Sequence, residues 1–392
     1  MEKLMSAKIL VVDDEPDLEQ IILQKFREQI RSNNYEFIFA RNGIEALDRL
    51  KQMQNIDLIL TDINMPEMDG LTLLNKLKEL EKPLLRSVIV SAYGDIENIR
   101  TAMNRGAFDF VIKPIDLNDL EITIVKSLQD LEVLKDAIQS RDQLTAIKHE
   151  LDIATEIQTS ILPKTFPAFP ERTEFEIFAK MIPAKEVGGD LYDFFLIDKH
   201  RIGVIIGDVS GKGIPAAMFM AVSKTLLKAT ALKGISPDTC LEIVNNILVD
   251  ESLPTMFVTV FYGIFDTRNG AFEYSSGGHN PPYLIHKDGQ IKQLESKGGL
   301  FLGSMKGIEY ESNMCILQQG DTLFLYTDGI TEAFDINENL YDDFRLEHAL
   351  QQHYNVEIDK LIDNIINEVN EFSQGVEQSD DMTCLAIRYL AK

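Results

Sequence analysis

The sequence predicts two domains of different class, an α/β doubly wound N-terminal domain and an α+β C-terminal domain, joined by a long helical linker. Three observations carry this. Residues 8 to about 125 alternate short β-rich runs with helical ones. Residues 117–161 repeat apolar side chains at three- and four-residue steps without a Gly or Pro. Beyond Phe175, strand-like runs follow one another and the helical stretches cluster. A chain of 392 residues also exceeds what one core usually organises.

In the first segment KILVV leads to a helix from Pro16, IDLILT to LTLLNKLKEL, SVIVSA to IENIRTAMNRG, and FVIKP to a further helix. Strands alternating with helices imply a parallel sheet covered on both faces. The linker seam runs through Leu117, Leu120, Ile124, Leu131, Leu134, Ile138, Leu144, Ile147, Leu151 and Ala154, and slips near Ser140 to Gln143. It is one helix or two nearly continuous ones, and its seam either pairs two copies in a coiled-coil homodimer or packs on its own chain. Pro163, Pro167 and Pro170 end the pattern. The last segment offers the runs EFEIFAKMI, RIGVIIGD, MFVTVFYGIF, AFEYSS, TLFLYTD and TCLAIRY, with helical stretches at 215–232 and 237–249. The expected domain bounds are 1–125, 126–165 for the linker, and 166–392.

Composition narrows the function. The 63 acidic against 38 basic residues leave a net charge of -25, which repels a phosphate backbone and excludes nucleic acid as partner. No run approaches the roughly 20 apolar residues that span a bilayer, and the start MEKLMSAKILVV lacks the apolar core of a signal peptide, so no membrane partner and a cytoplasmic location are expected. Cys240, Cys315 and Cys384 are far apart, with no Arg six residues on, which argues against a cysteine phosphatase.

Functional groups in a parallel sheet collect at the carboxyl ends of its strands. Here those ends carry Asp13 and Asp14, Asp62, Ser91 and Lys113. Clustered carboxylates call for a compensating divalent cation, and hard oxygen ligands favour magnesium. Asp62 is then the candidate nucleophile, with Lys113 and the Ser91 hydroxyl available to phosphoryl oxygens. DD, LTDINMPEMDG, SAYG and FVIKP, in this order, resemble the receiver domain of two-component response regulators over about residues 6–125. The resemblance implies that Asp62 accepts phosphate from a cognate histidine kinase, and that magnesium is held by Asp14, Asp62, the Asn64 carbonyl and, through water, Asp13. It further implies a cis peptide before Pro114 and a switch pair of Ser91 with Phe110, where Phe replaces the common Tyr.

Acids also stand at strand ends in the last segment: Asp190 in EVGGDLYD, Asp208 in GDVSGKG, Asp328 in YTDGITEA, and Asp380 with Asp381 in QSDDMT. GDVSGKG is one residue short of a P-loop and lacks its Ser or Thr after Lys212. Small residues beside the acids permit close approach of backbone, metal or substrate. Two divalent ions about 3.5–4 Å apart, bridged by one carboxylate, can activate a water for in-line displacement at phosphorus. The four stretches resemble the metal-dependent (PPM-type) protein phosphatases, in the branch of bacterial sporulation and stress-response enzymes, over about residues 175–390.

That resemblance implies an αββα sandwich and two manganese or magnesium ions. Asp190 and Asp208 would be ligands, Asp208 bridging with help from the Val209 carbonyl, and Asp328 and Asp380 would complete the shell. Either Asp380 or Asp381 precedes Met382-Thr383; the family's aspartate-x-x-threonine pattern favours Asp380. The implied substrate is a phosphoserine or phosphothreonine on a protein, typically an antagonist of an anti-sigma factor. HELDIATEIQTSILP, from His149 to Pro163, resembles the helix preceding such phosphatases and is the candidate transmission element. In SGGHNPPYL the Gly and Pro pairs read as turn chemistry around His279. The competing class is an adaptor whose phosphatase-like domain binds a regulatory protein without hydrolysis.

Overall fold

A computed structural model describes all residues except 1–5, 54, 81, 93–94, 252–254, 296–298 and 391–392. Tyr93 and Gly94 of the SAYG stretch therefore lie outside the described residues. The chain forms two compact units, Met1–Ala146 and Ile147–Lys392.

In the first unit the elements are β1 (Ala7–Val12), α1 (Pro16–Lys25), α2 (Arg27–Arg31), β2 (Tyr35–Ala40), α3 (Gly43–Gln52), β3 (Leu58–Asp62), α4 (Gly70–Glu79), β4 (Arg86–Ala92), α5 (Ile96–Asn104), β5 (Asp109–Lys113) and the start of α6 (Leu117–Ile161). The strands pair in parallel in the order β2-β1-β3-β4-β5. Apolar clusters lie on both faces, as a doubly wound sheet requires. The side chains of Asn42 and Asp69 cap α3 and α4 by accepting from the amides of Glu45 and Thr72.

Strand β2 and helix α3 were not among the elements expected from sequence. YEFIFA does alternate, but it is an edge strand whose aromatics Tyr35, Phe37 and Phe39 are only half-buried, packed along one face with Phe26.

Helix α6 is a single 45-residue element. The slip in its seam does not interrupt it, because Ser140–Gln143 contains no residue that breaks a helix. Leu120, Ile124 and Leu131 are buried, whereas residues 139–150 are exposed throughout.

The second unit contains the end of α6, then β6 (Phe175–Ile182), β7 (Leu191–Leu196), β8 (Arg201–Val209), α7 (Ile214–Ala231), α8 (Pro237–Glu251), β9 (Val258–Asp266), β10 (Ala271–Gly277), β11 (Tyr283–Ile285), β12 (Ile291–Gln293), β13 (Asn313–Ile316), β14 (Thr322–Tyr326), α9 (Asp328–Thr331), α10 (Asp342–His353), α11 (Ile358–Phe372) and β15 (Met382–Tyr389). Two antiparallel sheets form, β13-β10-β9-β8-β7 and β12-β11-β14-β15-β6. Alternate residues of each strand face opposite ways. Ile202, Val204 and Ile206 of β8 meet Leu323, Leu325 and Ile387 of the other sheet in one core. The opposite faces pack on helices: Ile205 and Tyr262 with α7 and α8, and Phe324, Cys384 and Ala386 with α10 and α11. The result is helix, sheet, sheet, helix.

Strands β7, β11, β12 and β13 were not foreseen from sequence, and α9, α10 and α11 join the two expected helices. Helix α11 is rich in isoleucine, which favours strands, yet its buried residues Ile358, Leu361, Ile362, Ile365, Ile366 and Val369 fall at helical spacing.

Candidate functional site

In the first unit, Asp13 follows β1, Asp62 and Lys113 close β3 and β5, and Ser91 lies near the end of β4. Carboxylate oxygens of Asp13, Asp14 and Asp62 lie within 4.8 Å of one another. Lys113 Nζ sits 2.7 Å from Asp62 Oδ2 and 3.1 Å from Asp13 Oδ2. Burial alone would lower the Lys113 pKa, but its bonds to Asp62 and Asp13 raise it, so the ammonium is held charged. Asp13 is raised by burial, against the Glu15 amide and Lys113. Asp62 Oδ1 accepts from the amide of Ile63 at 2.6 Å and that of Asn64 at 3.4 Å, which leaves Oδ2 toward Lys113.

Ser91 Oγ is fully buried and has no hydrogen-bond partner among the described residues, a position suited to an incoming oxygen. Phe110 is 37% exposed, two residues along β5 from the Ser91 partner Ile112. The Lys113-Pro114 peptide is cis. Asn64 and Asp14 are placed beside Asp62 and Asp13, with Asp14 exposed.

In the second unit, β7 and β8 pair antiparallel with Leu191 opposite Gly207, so Asp190 meets Asp208 across the ladder. On the other sheet Tyr326 pairs with Cys384, which brings Asp328, the first residue of α9, beside Asp380 and Asp381. The close fit explains the glycine after Asp328: a Cβ on Gly329 would lie 2.0 Å from the Asp381 carbonyl. Likewise a Cβ on Gly189 would come within 2.8 Å of the Val209 carbonyl.

The acids crowd one another electrostatically. Burial, then the charges of Asp328 and Asp380, push Asp208 up to about 8, while a hydrogen bond with Asp190 opposes this. Asp328 is raised to about 6 by burial, then by Glu332 and Asp380. Asp190 is raised well above the ordinary range by burial, then by Asp208 and Asp381. Its Oδ2 accepts from the hydroxyls of Thr327 at 2.7 Å and Thr383 at 2.5 Å. Among the described residues, no three of these acids bring oxygens as close as the trio of the first unit does. An oxygen-only donor set in which burial and neighbouring charges raise Asp190, Asp208 and Asp328 fits divalent cations.

Asp380 and Asp381 part company. Asp380 Oδ2 is 2.9 Å from Lys212 Nζ, which also bonds the Ser379 carbonyl. The carboxylate of Asp381 turns inward and accepts from the amides of Ala184 (2.8 Å), Gly189 (2.6 Å) and Asp190 (3.3 Å). Asp381 holds backbone while its charge acts on Asp190 and Asp208, and Asp380, paired with Lys212, acts on Asp208 and Asp328. Sequence reasoning missed the Thr327 and Thr383 clamp, although each threonine stands beside or near a singled-out acid in YTDG and DDMT.

His279 is buried between the sheets, its Nδ1 2.9 Å from Thr259 Oγ1 and its Nε2 3.1 Å from the Tyr326 carbonyl. A carbonyl only accepts, so Nε2 carries the proton and Nδ1 receives the threonine hydroxyl. Burial lowers its pKa to about 4, against the Tyr326 bond, so the ring is neutral at physiological pH. His279→Leu should therefore cost about 1–3 kcal/mol through the unpaired carbonyl, read as a lower urea midpoint. Loss of a general acid would instead cut a turnover rate by about 10²–10⁴-fold, so an unchanged rate identifies a strut.

Comparisons with known proteins cover both units. A family model described as Stage II sporulation protein E (SpoIIE) matches residues 198–390, and one described as response regulator receiver domain matches residues 9–125. The chain is 32% identical over 243 residues to the phosphoserine phosphatase RsbU of Bacillus subtilis (strain 168), covering 62% of this chain and 70% of RsbU. Sporulation initiation phosphotransferase F of the same organism is 30% identical over 125 residues, 32% of this chain and 96% of that protein. Two further curated relatives are spanned over 41% and 56% of their lengths. The SiaA-PP2C domain of Pseudomonas aeruginosa superposes with a TM-score of 0.55 at 20% identity, over 63% of this chain and 98% of that one, a likeness of fold.

Proposed function

The chain belongs to the SpoIIE family of PPM-type phosphatases and carries a response regulator receiver domain, and from that premise we propose that phosphorylation of Asp62 controls hydrolysis of a phosphoserine or phosphothreonine on a protein substrate. The observation that carries the proposal is the gathering of Asp190, Asp208, Asp328 and Asp380 at adjoining strand ends, where burial and then the charges of Asp328 and Asp380 push Asp208 to about 8. Carboxylates placed at such electrostatic cost serve a cation.

In the receiver, an Asp62 oxygen bonds to phosphorus as the P–N bond to the histidine kinase's imidazole breaks. Lys113 and the Ser91 hydroxyl take phosphoryl oxygens, and Asp13, Asp14, Asp62 and the Asn64 carbonyl would hold magnesium. In the phosphatase, Asp190, Asp208, the Val209 carbonyl, Asp328 and Asp380 would hold two manganese or magnesium ions. Ions bound there supply the positive charge that lowers a water's pKa and offsets charge on the phosphoryl oxygens. Thr327 and Thr383 orient Asp190, and Asp381 fixes the loop that carries it. Hydrolysis adds a water oxygen to phosphorus and breaks the P–O bond to the serine, whose oxygen leaves with a proton.

The similarity to the phosphoserine phosphatase RsbU favours phosphoserine on the substrate, and an anti-sigma factor antagonist is the substrate class that the resemblance to bacterial stress-response phosphatases implies. Exposed Leu144, Ile147, Ile153 and Ile157 on α6 support a homodimer through the linker, with domain bounds of 1–125, 126–165 and 166–392. Among the described residues no helix is long and apolar enough to cross a membrane; the cytoplasmic location expected from the sequence is part of this proposal. To test the proposal, the purified chain is incubated with manganese and a phosphoserine protein, with and without a small-molecule phosphodonor. Manganese-dependent phosphate release that changes with the donor, but not in Asp62→Asn, is expected. Binding without release at any manganese concentration would favour the adaptor, and identical rates and masses with and without donor would end the coupling idea.

A further inference from the structure

Near the end of α6, Gln158 is only 6% exposed. Its carboxamide makes two bonds to the backbone of one residue: Nε2 donates to the Gly188 carbonyl at 2.5 Å, and Oε1 accepts from the Gly188 amide at 3.0 Å. One turn earlier, Thr155 Oγ1 donates to the Glu186 carbonyl at 2.7 Å. The segment from Glu186 to Asp190 thus lies between two anchors, the helix on one side and the Asp381 carboxylate on the other. It lies close against the second anchor, where only glycine fits: a Cβ on Gly188 would meet Asp381 Oδ2 at 2.3 Å.

We propose that Gln158 is a positioning residue that ties the setting of α6 to the placement of Asp190, and through it to cation binding by the phosphatase domain. Only a side chain with a donor and an acceptor side by side satisfies both Gly188 groups at once. An apolar residue there would leave a buried amide and carbonyl unpaired, and a helix turned or shifted on its axis would carry the carboxamide away from both. Asp190 stands two residues beyond Gly188, so the loop's position is its position. This rests on the reading of Asp190 as a metal ligand, and it names the contact through which the helix reaches that ligand.

The test compares the full chain with Gln158→Met, which keeps length and loses both bonds, and Gln158→Glu, which keeps the acceptor for the Gly188 amide and loses the donor. Manganese affinity is read from the electron paramagnetic resonance of free Mn²⁺, melting temperature in chelator reports folding, and kcat at saturating manganese is measured separately. Residues that orient metal ligands change affinity by about 10–100-fold. Gln158→Met should weaken manganese binding by that factor while kcat at saturation stays within a few-fold, with Gln158→Glu between it and the parent. Should Gln158→Met fail to melt cooperatively, the ordering of Gln158→Glu below the parent carries the same decision. Unchanged affinity in a folded variant would overturn the proposal. A parent chain that binds no manganese would instead overturn the metal-centre reading itself.

Discussion

Asp208→Asn should reduce phosphoester hydrolysis by at least about a hundredfold, the scale of losing one preorganised electrostatic contact at a reacting centre. The same change should make the metal-free protein more stable. Asparagine keeps the shape of the side chain and cannot ionise, so the cost of burying Asp208 and of holding it beside Asp328 and Asp380, which together raise it to about 8, disappears. A functional loss joined to a gain in melting temperature in chelator marks a residue held in place for chemistry. If the variant instead melted lower and kept its activity, Asp208 would be a structural acid. Retained binding of the phosphoprotein in the variant would show that the surface for the partner is intact.

The second large effect concerns the cation. Manganese at about 100 times its dissociation constant should add about 2.7 kcal/mol to the stability of the folded state. For a domain of this size that corresponds to a rise in melting temperature of about 5–10 °C. The effect should depend on pH with a definite sign. Asp208 and Asp328 are raised to about 8 and about 6, and Asp190 is raised as well, so the folded, metal-free form keeps protons that the unfolded chain releases near its ordinary aspartate value. The stability linked to these groups is fully present below about pH 4 and is lost as pH rises toward 8. Manganese competes with those protons, so its stabilising shift should grow over the same window. Melting curves at pH 5 and pH 8, each with manganese and with chelator, measure all four terms. Equal shifts at both values would mean that the ions bind somewhere other than this cluster.

Much of the architecture could be read from residue patterns because the chemistry and the strand ends coincide. DD after KILVV and TD after LIL mark carboxyl ends of buried parallel strands, and the GGD, GDV, TDG and DDMT stretches place acids where small neighbours clear space for them. Strand β7 escaped notice because LYDFFL is buried on both faces over its first five residues and shows no clean alternation. Its Asp193 is buried against Lys224 at 2.6 Å, a pairing whose partner lies beyond β8, within α7. The same holds for Thr327 and Thr383 on Asp190, and for Gln158 on Gly188. Such contacts are made by register and closure of the sheets, which no local pattern encodes. Asp380 and Asp381 show the limit most clearly. They are neighbours entering one strand, so their side chains diverge, and only the pairing of that strand decides which one turns to the amides.

The exposed stretch of α6 at residues 139–150 sets its own rules for sequence change. Outside the apolar positions Leu144 and Ile147, exchanging one good helix former for another there alters little. Adding or deleting a single residue turns the remainder of the helix by about 100° and displaces it by about 1.5 Å. Along a continuous helix, residue count sets the angle at which the later side chains point.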